Sequence, residues 1–280
     1  MAIDSIDDLF STSLHRCQRE DLPMTLAAVG LLASCCLVLT SVSTVAQEKS
    51  ESTTSTQTNS FTQKPANYFG ELIEEMKIHW PANRRITIVA HGHSVPAGYF
   101  KTPEIRTFDS YPSLLHQRLA SLFPTAAIEM VVTAIGGEAS SSGANRFEKD
   151  VLSIKPDIVL IDYALNDRGI GLKTSRENLE KMISQCTERK IKVILLTPTP
   201  DQTEDILQTE TPLNSFQEMI RQLAIQHKVA MVDSYEAFRQ RVASGTPLPQ
   251  LMSQVNHPNR QGHELVADLL LSLFSNSESK

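Results

Sequence analysis

The sequence has little from which to build a disulfide-stapled or metal-stapled fold. Its four cysteines, Cys17, Cys35, Cys36 and Cys186, show no paired metal-ligand spacing, and three of them fall before position 37. Neither a disulfide framework nor a zinc ribbon is supported. Positive charge is scarce as well: 26 Lys and Arg stand against 32 Asp and Glu, for a formal net charge of −6. With no basic surplus to neutralise phosphates, nucleic acid is excluded as a partner. No internal repeat of solenoid or propeller period is present. What the chain does have is 280 residues, 41% of them hydrophobic and 21% charged, enough for one sizeable core and a tail.

The tail is legible. Residues 22–46 carry no charge, and Arg16 and Arg19 lie just before them, the pattern of an export signal. Thr44 and Ala46 before Gln47 suit a signal peptidase, so residues 1–46 are expected to be removed and the protein to be periplasmic or extracellular. Two alternatives stay open: an uncleaved membrane anchor formed by the same run, and lipidation at Cys35 in the stretch Leu32-Ala33-Ser34-Cys35. Membrane contact is expected through this segment alone. Residues 47–65 are rich in Ser, Thr, Gln and Lys and read as a flexible polar linker. The folded domain is expected over 66–280. Within it Cys186 keeps helical step with Leu179, Met182 and Ile183 and reads as a core thiol.

In the domain, apolar runs of strand length recur at 86–90, 128–134, 158–163, 193–197 and 229–232. Helical stripes lie between them, among them Leu213, Phe216, Ile220 and Leu223, and a last amphipathic helix closes the chain over 259–274. Strands alternating with helices, and strands apolar on both faces, argue for a parallel sheet covered on both sides. The expected fold is α/β: a flavodoxin-like three-layer α/β/α sandwich with a five-stranded parallel sheet. Ligands of such sheets bind outside the carboxyl ends of the strands, and polar residues gather there. They are His91-Gly92-His93-Ser94, Gly136-Gly137-Glu138, Ala164-Leu165-Asn166-Asp167 and, before the last helix, Asn256-His257-Pro258-Asn259. A serine in a tight glycine-containing turn, a late histidine, a backbone glycine and an asparagine amide are the parts that acyl transfer needs.

In these four blocks, in this order, the sequence resembles the SGNH (GDSL-type) hydrolase family. The resemblance implies a serine esterase with Ser94 as nucleophile and His257 as base. Its oxyanion hole would comprise Ser94, Gly137 (or Gly136, if the turn is shifted) and Asn166. No cofactor and no metal are implied. Two positions depart from the family pattern. His93 stands where an aspartate usually precedes the serine, and Gln254 stands where the third triad member, an aspartate, usually precedes the histidine. The second change removes a charge worth roughly 10⁴ in turnover in serine hydrolases. A Ser-His dyad is one outcome; an orienting contact from the Gln254 amide oxygen, or from a nearby backbone carbonyl, is another. His116, His227 and His263 are expected to face solvent, and His79 has no evident partner.

The resemblance, through Gly136-Gly137-Glu138 and Asn256-His257-Pro258-Asn259, implies an acyl ester of a carbohydrate, such as an acetyl ester, as substrate, and the loops 100–109 and 201–210 are expected at the site rim. The acidic residues of the second loop should disfavour anionic substrates. Two rival functions are a metal-dependent hydrolase using His91 and His93, which alternate along a strand end, and a catalytically silent glycan-binding envelope protein on the same fold. The export reading makes a direct prediction. N-terminal and intact-mass analysis of the protein released by its host should find a chain beginning at Gln47; a retained Met1 or a lipidated Cys35 would contradict it.

Overall fold

The computed structural model describes residues 61–275. The export segment, with its cleavage, anchor and Cys35 readings, lies outside the described residues, as does most of the 47–65 linker. Among the described residues a six-stranded sheet forms from β1 (Thr62–Gln63), β2 (Arg85–Gly92), β3 (Ala127–Val132), β4 (Ile158–Asp162), β5 (Lys192–Leu196) and β6 (Ala230–Val232), in the order β1-β6-β5-β4-β2-β3. The last five are parallel. Their order is the flavodoxin one, in which the chain leaves β2 for β3 on one side and then crosses to β4 on the other.

The helices are α1 (Gly70–Met76), α2 (Tyr111–Leu122), α3 (Ser140–Asp150), α4 (Ala164–Asp167), α5 (Leu172–Glu188), α6 (Pro212–His227), α7 (Ser234–Ala243) and α8 (Arg260–Ser272). Alternation along the strands sorts them into layers. Ile86, Ile88, Ala90, Leu160 and Ile194 pack with α1, α2, α7 and α8. Val89, Val159, Ile161, Val193 and Leu195 point the other way, to α3, α5 and α6. Every residue of β4 is buried, as a central parallel strand requires. Cys186 is fully buried in the second layer, and burial pushes its thiol up to about 12.

Three expectations are corrected here. The sheet has six strands, not five, and is not wholly parallel: β1 pairs antiparallel with β6, Thr62 opposite Val232 and Gln63 opposite Met231. The end of the stretch assigned to the linker is therefore part of the fold. Two polar residues carry no apolar alternation, so only the free edge of β6 selects them as a strand. His263 is likewise not solvent-facing. It is 2% exposed, and its Nδ1 accepts the backbone N–H of Tyr111 at 3.2 Å, closing the first turn of α2; burial holds it down at about 3.

The crevice of the sheet opens between β2 and β4, and Gly92 decides how close the two can come. A Cβ at Gly92 would lie 2.3 Å from the carbonyl oxygen of Asp162 and 2.9 Å from the Pro96 ring. The first neighbour is backbone and cannot swing away. Gly92→Ala should therefore lower the unfolding free energy by about 1–3 kcal/mol through overpacking. A urea melt of the variant coincident with wild type would show that the strands separate without cost.

Candidate active site

Ser94 sits two residues beyond the end of β2 and is 6% exposed. His257 reaches it from the loop before α8, whose N-terminus is capped by Asn259 accepting the Gly262 N–H at 3.2 Å. His257 Nε2 lies 2.9 Å from Ser94 Oγ, hydrogen-bonding distance for a base and its nucleophile. The sequence blocks furthest apart in the chain thus meet side chain to side chain.

The other nitrogen of His257 has two neighbours. The carbonyl oxygen of Phe100 is 2.8 Å from Nδ1, and Gln254 Nε2 is 2.7 Å from it. Gln254 Oε1 is turned away, accepting the backbone N–H of Thr102 at 3.0 Å and its hydroxyl at 3.2 Å. The amide oxygen of Gln254 is therefore not the acceptor for the Nδ1 proton; the backbone carbonyl is. The two contacts favour opposite tautomers. A carbonyl only accepts, so Phe100 calls for Nδ1–H and leaves the Nε2 lone pair on Ser94. An amide NH₂ only donates, so Gln254 calls for the reverse. Burial lowers the basicity of His257 below its ordinary value of 6.5, the Phe100 carbonyl works against that, and the nearby His93 adds to it.

Besides Ser94, the candidate oxyanion groups lie on the segments that follow β3 and β4. Gly137 has φ +77°, a left-handed conformation that favours glycine. Among the described residues neither Ser94 N–H nor Gly137 N–H has an acceptor. Asn166, in α4 directly after β4, donates one amide hydrogen from Nδ2 to the carbonyl oxygen of Glu138 at 3.0 Å, and an amide nitrogen carries two. This contact ties the Asn166 turn to the Gly137 turn. Gly136 lies under the end of the Tyr99 ring, where a Cβ would be 2.5 Å from Tyr99 Cζ. Because that ring also lies 6.0 Å from the His257 ring, Tyr99 forms a wall of the site.

His91 and His93 do not face one metal. β2 ends at Gly92, so the alternation that would align them stops between them. His91 packs on Phe147 and Tyr163, in the layer of α3. The Nδ1 of His93 accepts Val95 N–H at 3.2 Å, while its Nε2 approaches Asp162 Oδ1 at 3.3 Å without hydrogen-bond alignment; Tyr111, in the layer of α2, donates to the same carboxylate. In the loop 201–210, Asp201 and Glu204 share the single guanidinium of Arg168 at 2.6 and 2.7 Å, which offsets one of the loop's four acidic charges (Asp201, Glu204, Asp205 and Glu210) and leaves the loop net negative.

Sequence reasoning missed Asp162 and Tyr99, and it allowed for a backbone carbonyl at His257 without identifying that of Phe100. The first has a signal, a carboxylate ending a buried apolar strand; a backbone carbonyl has none. It also passed over Asp167, whose buried carboxylate accepts Ser140 N–H at 2.7 Å and the Ser175 hydroxyl at 2.5 Å, fixing the turn that carries Asn166.

The sequence profile of the GDSL-like lipase/acylhydrolase family matches residues 90–265, more than half of the chain. The chain belongs to this family. It is accordingly a carboxylic ester hydrolase. It is 22% identical over 165 residues to an acetylxylan esterase of Geobacillus stearothermophilus, covering 55% of this chain and 75% of that one. The crystal structure of an acetylxylan esterase from that organism superposes with a TM-score of 0.60 at 20% identity, over 73% of this chain and all of its own. A two-domain esterase active on acetylated mannans superposes at 0.64 with 21% identity, over 78% of this chain; the match spans 55% of that longer protein. At such identities the structural likenesses speak for the fold.

The two neighbours of Nδ1 generate a prediction. In Gln254→Asp a carboxylate would replace the competing NH₂ and stabilise the charged ring. The His257 pKa should then rise, moving the acidic limb of the kcat/KM profile from below 6.5 to higher pH, and turnover should increase. A limb that stays in place at wild-type rate would mean that position 254 does not act on the ring.

Proposed function

We propose that this family member removes short acyl groups, acetyl first, from carbohydrate esters through a Ser94–His257 dyad oriented by the Phe100 carbonyl. The observation that carries the reading is the continuous line Ser94 Oγ, His257 Nε2, His257 Nδ1, Phe100 oxygen, with 2.9 and 2.8 Å between hydrogen-bonded atoms. In this reading Ser94 Oγ attacks the ester carbonyl carbon while its proton passes to His257 Nε2. The negative charge that develops on the carbonyl oxygen is met by Ser94 N–H, Gly137 N–H and the remaining Asn166 amide hydrogen. Collapse of the tetrahedral intermediate breaks the bond to the alcohol oxygen, which takes the proton from Nε2. Water then attacks the acyl-Ser94 ester with His257 again as base, releasing the acid and restoring the hydroxyl.

The substrate class rests on the acetylated polysaccharides named for the two similar esterases. Export through residues 22–46 fits it, since a polysaccharide too large to cross the membrane is met outside the cell. Ser94→Ala should abolish both hydrolysis of acetylated xylo- or manno-oligosaccharides and labelling by a fluorophosphonate. Asn166→Ala should lower kcat by about 10²–10³ with little change in KM, because its contact is made in the transition state. Labelling that survives Ser94→Ala would overturn the assignment, and a loss confined to KM would reduce Asn166 to substrate binding.

A further inference from the structure

Behind the Gly136–Glu138 turn lies a buried polar cluster that the reaction above does not use. Glu138 has its side chain 5% exposed, and every carboxylate contact is charged or strongly directed. Arg146 from α3 donates through Nε to Oε1 at 2.8 Å and through a second nitrogen to Oε2, while the Tyr163 hydroxyl donates to Oε2 at 2.8 Å. His91 stands next in line. Its Nε2 lies 3.2 Å from the Gly143 carbonyl oxygen and 3.0 Å from the Tyr163 hydroxyl oxygen, and its Nδ1 lies 2.8 Å from Thr133 Oγ1. The Gly143 carbonyl only accepts, so the His91 proton belongs on Nε2 and Nδ1 accepts from Thr133.

The protons of this cluster are held in place. Burial brings His91 down to about 4 and drives the Tyr163 hydroxyl upward, with Glu138 adding to the rise. Burial alone would raise Glu138, but hydrogen bonds from Arg146, Tyr163 and Ser142 outweigh it and keep the carboxylate ionised. A neutral imidazole, a phenol, a carboxylate and a guanidinium therefore form one connected unit, with no donor set against a donor.

The unit touches both segments that carry oxyanion donors. Glu138 follows Gly137 directly, and its carbonyl oxygen holds the Asn166 amide. Tyr163 begins the turn of α4, and its own carbonyl accepts Asn166 N–H at 3.2 Å. We infer that Glu138, clamped by Arg146 and Tyr163, is a positioning residue that sets the distance between the Gly137 and Asn166 donors. The inference rests on the acyl-transfer reading above and goes beyond it, assigning to a group that never meets substrate the geometry of those that do.

The test uses the full chain with p-nitrophenyl acetate, thermal melts, and the variants Glu138→Ala, Glu138→Gln and Arg146→Lys. A donor displaced by about 1 Å costs on the order of 10²-fold. Glu138→Ala should lower kcat by about that factor per folded molecule at nearly constant KM. Glu138→Gln, whose oxygen still accepts from Tyr163 while its NH₂ is set against an Arg146 donor, should recover only part of it; this variant and Arg146→Lys, which loses the two-point grip and should lower kcat at nearly constant KM, carry the test if the alanine variant does not fold. In an Asn166→Ala background the Glu138→Ala loss should shrink, because the two act as a unit. A lowered melting temperature with unchanged kcat, or an undiminished loss in that background, would overturn the positioning role while leaving the esterase reading intact. A wild-type enzyme inert toward every acetyl ester would overturn the esterase reading, and the inference with it.

Discussion

A neutral imidazole has one proton to place, and at His257 its two nitrogens have different partners. On Nε2 stands the Ser94 hydroxyl; on Nδ1 stand a carbonyl and an amide NH₂ that call for opposite tautomers. The proposed reaction depends on this one placement. In serine-protease triads the loss from replacing the orienting carboxylate by an amide, about 10⁴ in turnover, arises from the wrong tautomer rather than from lost geometry. A backbone carbonyl supplies the same directional demand as a carboxylate without the charge. The difference that remains is that between a neutral and a charge-assisted hydrogen bond, on the order of 1 kcal/mol.

The Phe100 carbonyl can do this only if its loop is held still. The loop is closed on itself by the Tyr99 to Ile105 bridge and by Phe100 N–H donating to Glu104 at 3.0 Å. It is tied across the crevice by Gln254, whose oxygen accepts from Thr102. The next loop joins from the other side: Gln202 donates its backbone N–H to Val255 at 2.8 Å and its side-chain amide to Gln254 at 3.0 Å. Gln254 thus serves as the knot between two rim loops and the histidine segment. The residue that replaced the expected aspartate anchors the loop that carries the orienting group.

The negative charge beside Ser94 comes from the neighbouring strand. With His93 before Ser94, the carboxylate of this corner is Asp162 at the end of β4, next to His93 and Tyr111. Glu138 and Asp167, likewise buried, are each matched by specific donors. These three carboxylates draw their donors from α2, α3 and α5, as buried charges require.

The layer order, the family and the placing of Ser94, Gly137 and Asn166 after successive strand ends were legible in the sequence. Each of these follows from local properties: strand-length apolar runs, helical stripes, and polar motifs placed where strands end. The tertiary structure alone decided the matters that depend on partners distant in the chain. Thr62–Gln63 became a strand because β6 offered an unpaired edge. His263 was buried because Tyr111, 152 residues away, had an N–H to satisfy. His91 and His93 were sent to opposite layers because the strand stops between them, a boundary that no spacing announces. The acceptor for the His257 proton is a main-chain oxygen 157 residues away. Every residue carries such an oxygen, so side-chain identity cannot mark which one the fold will bring to the ring.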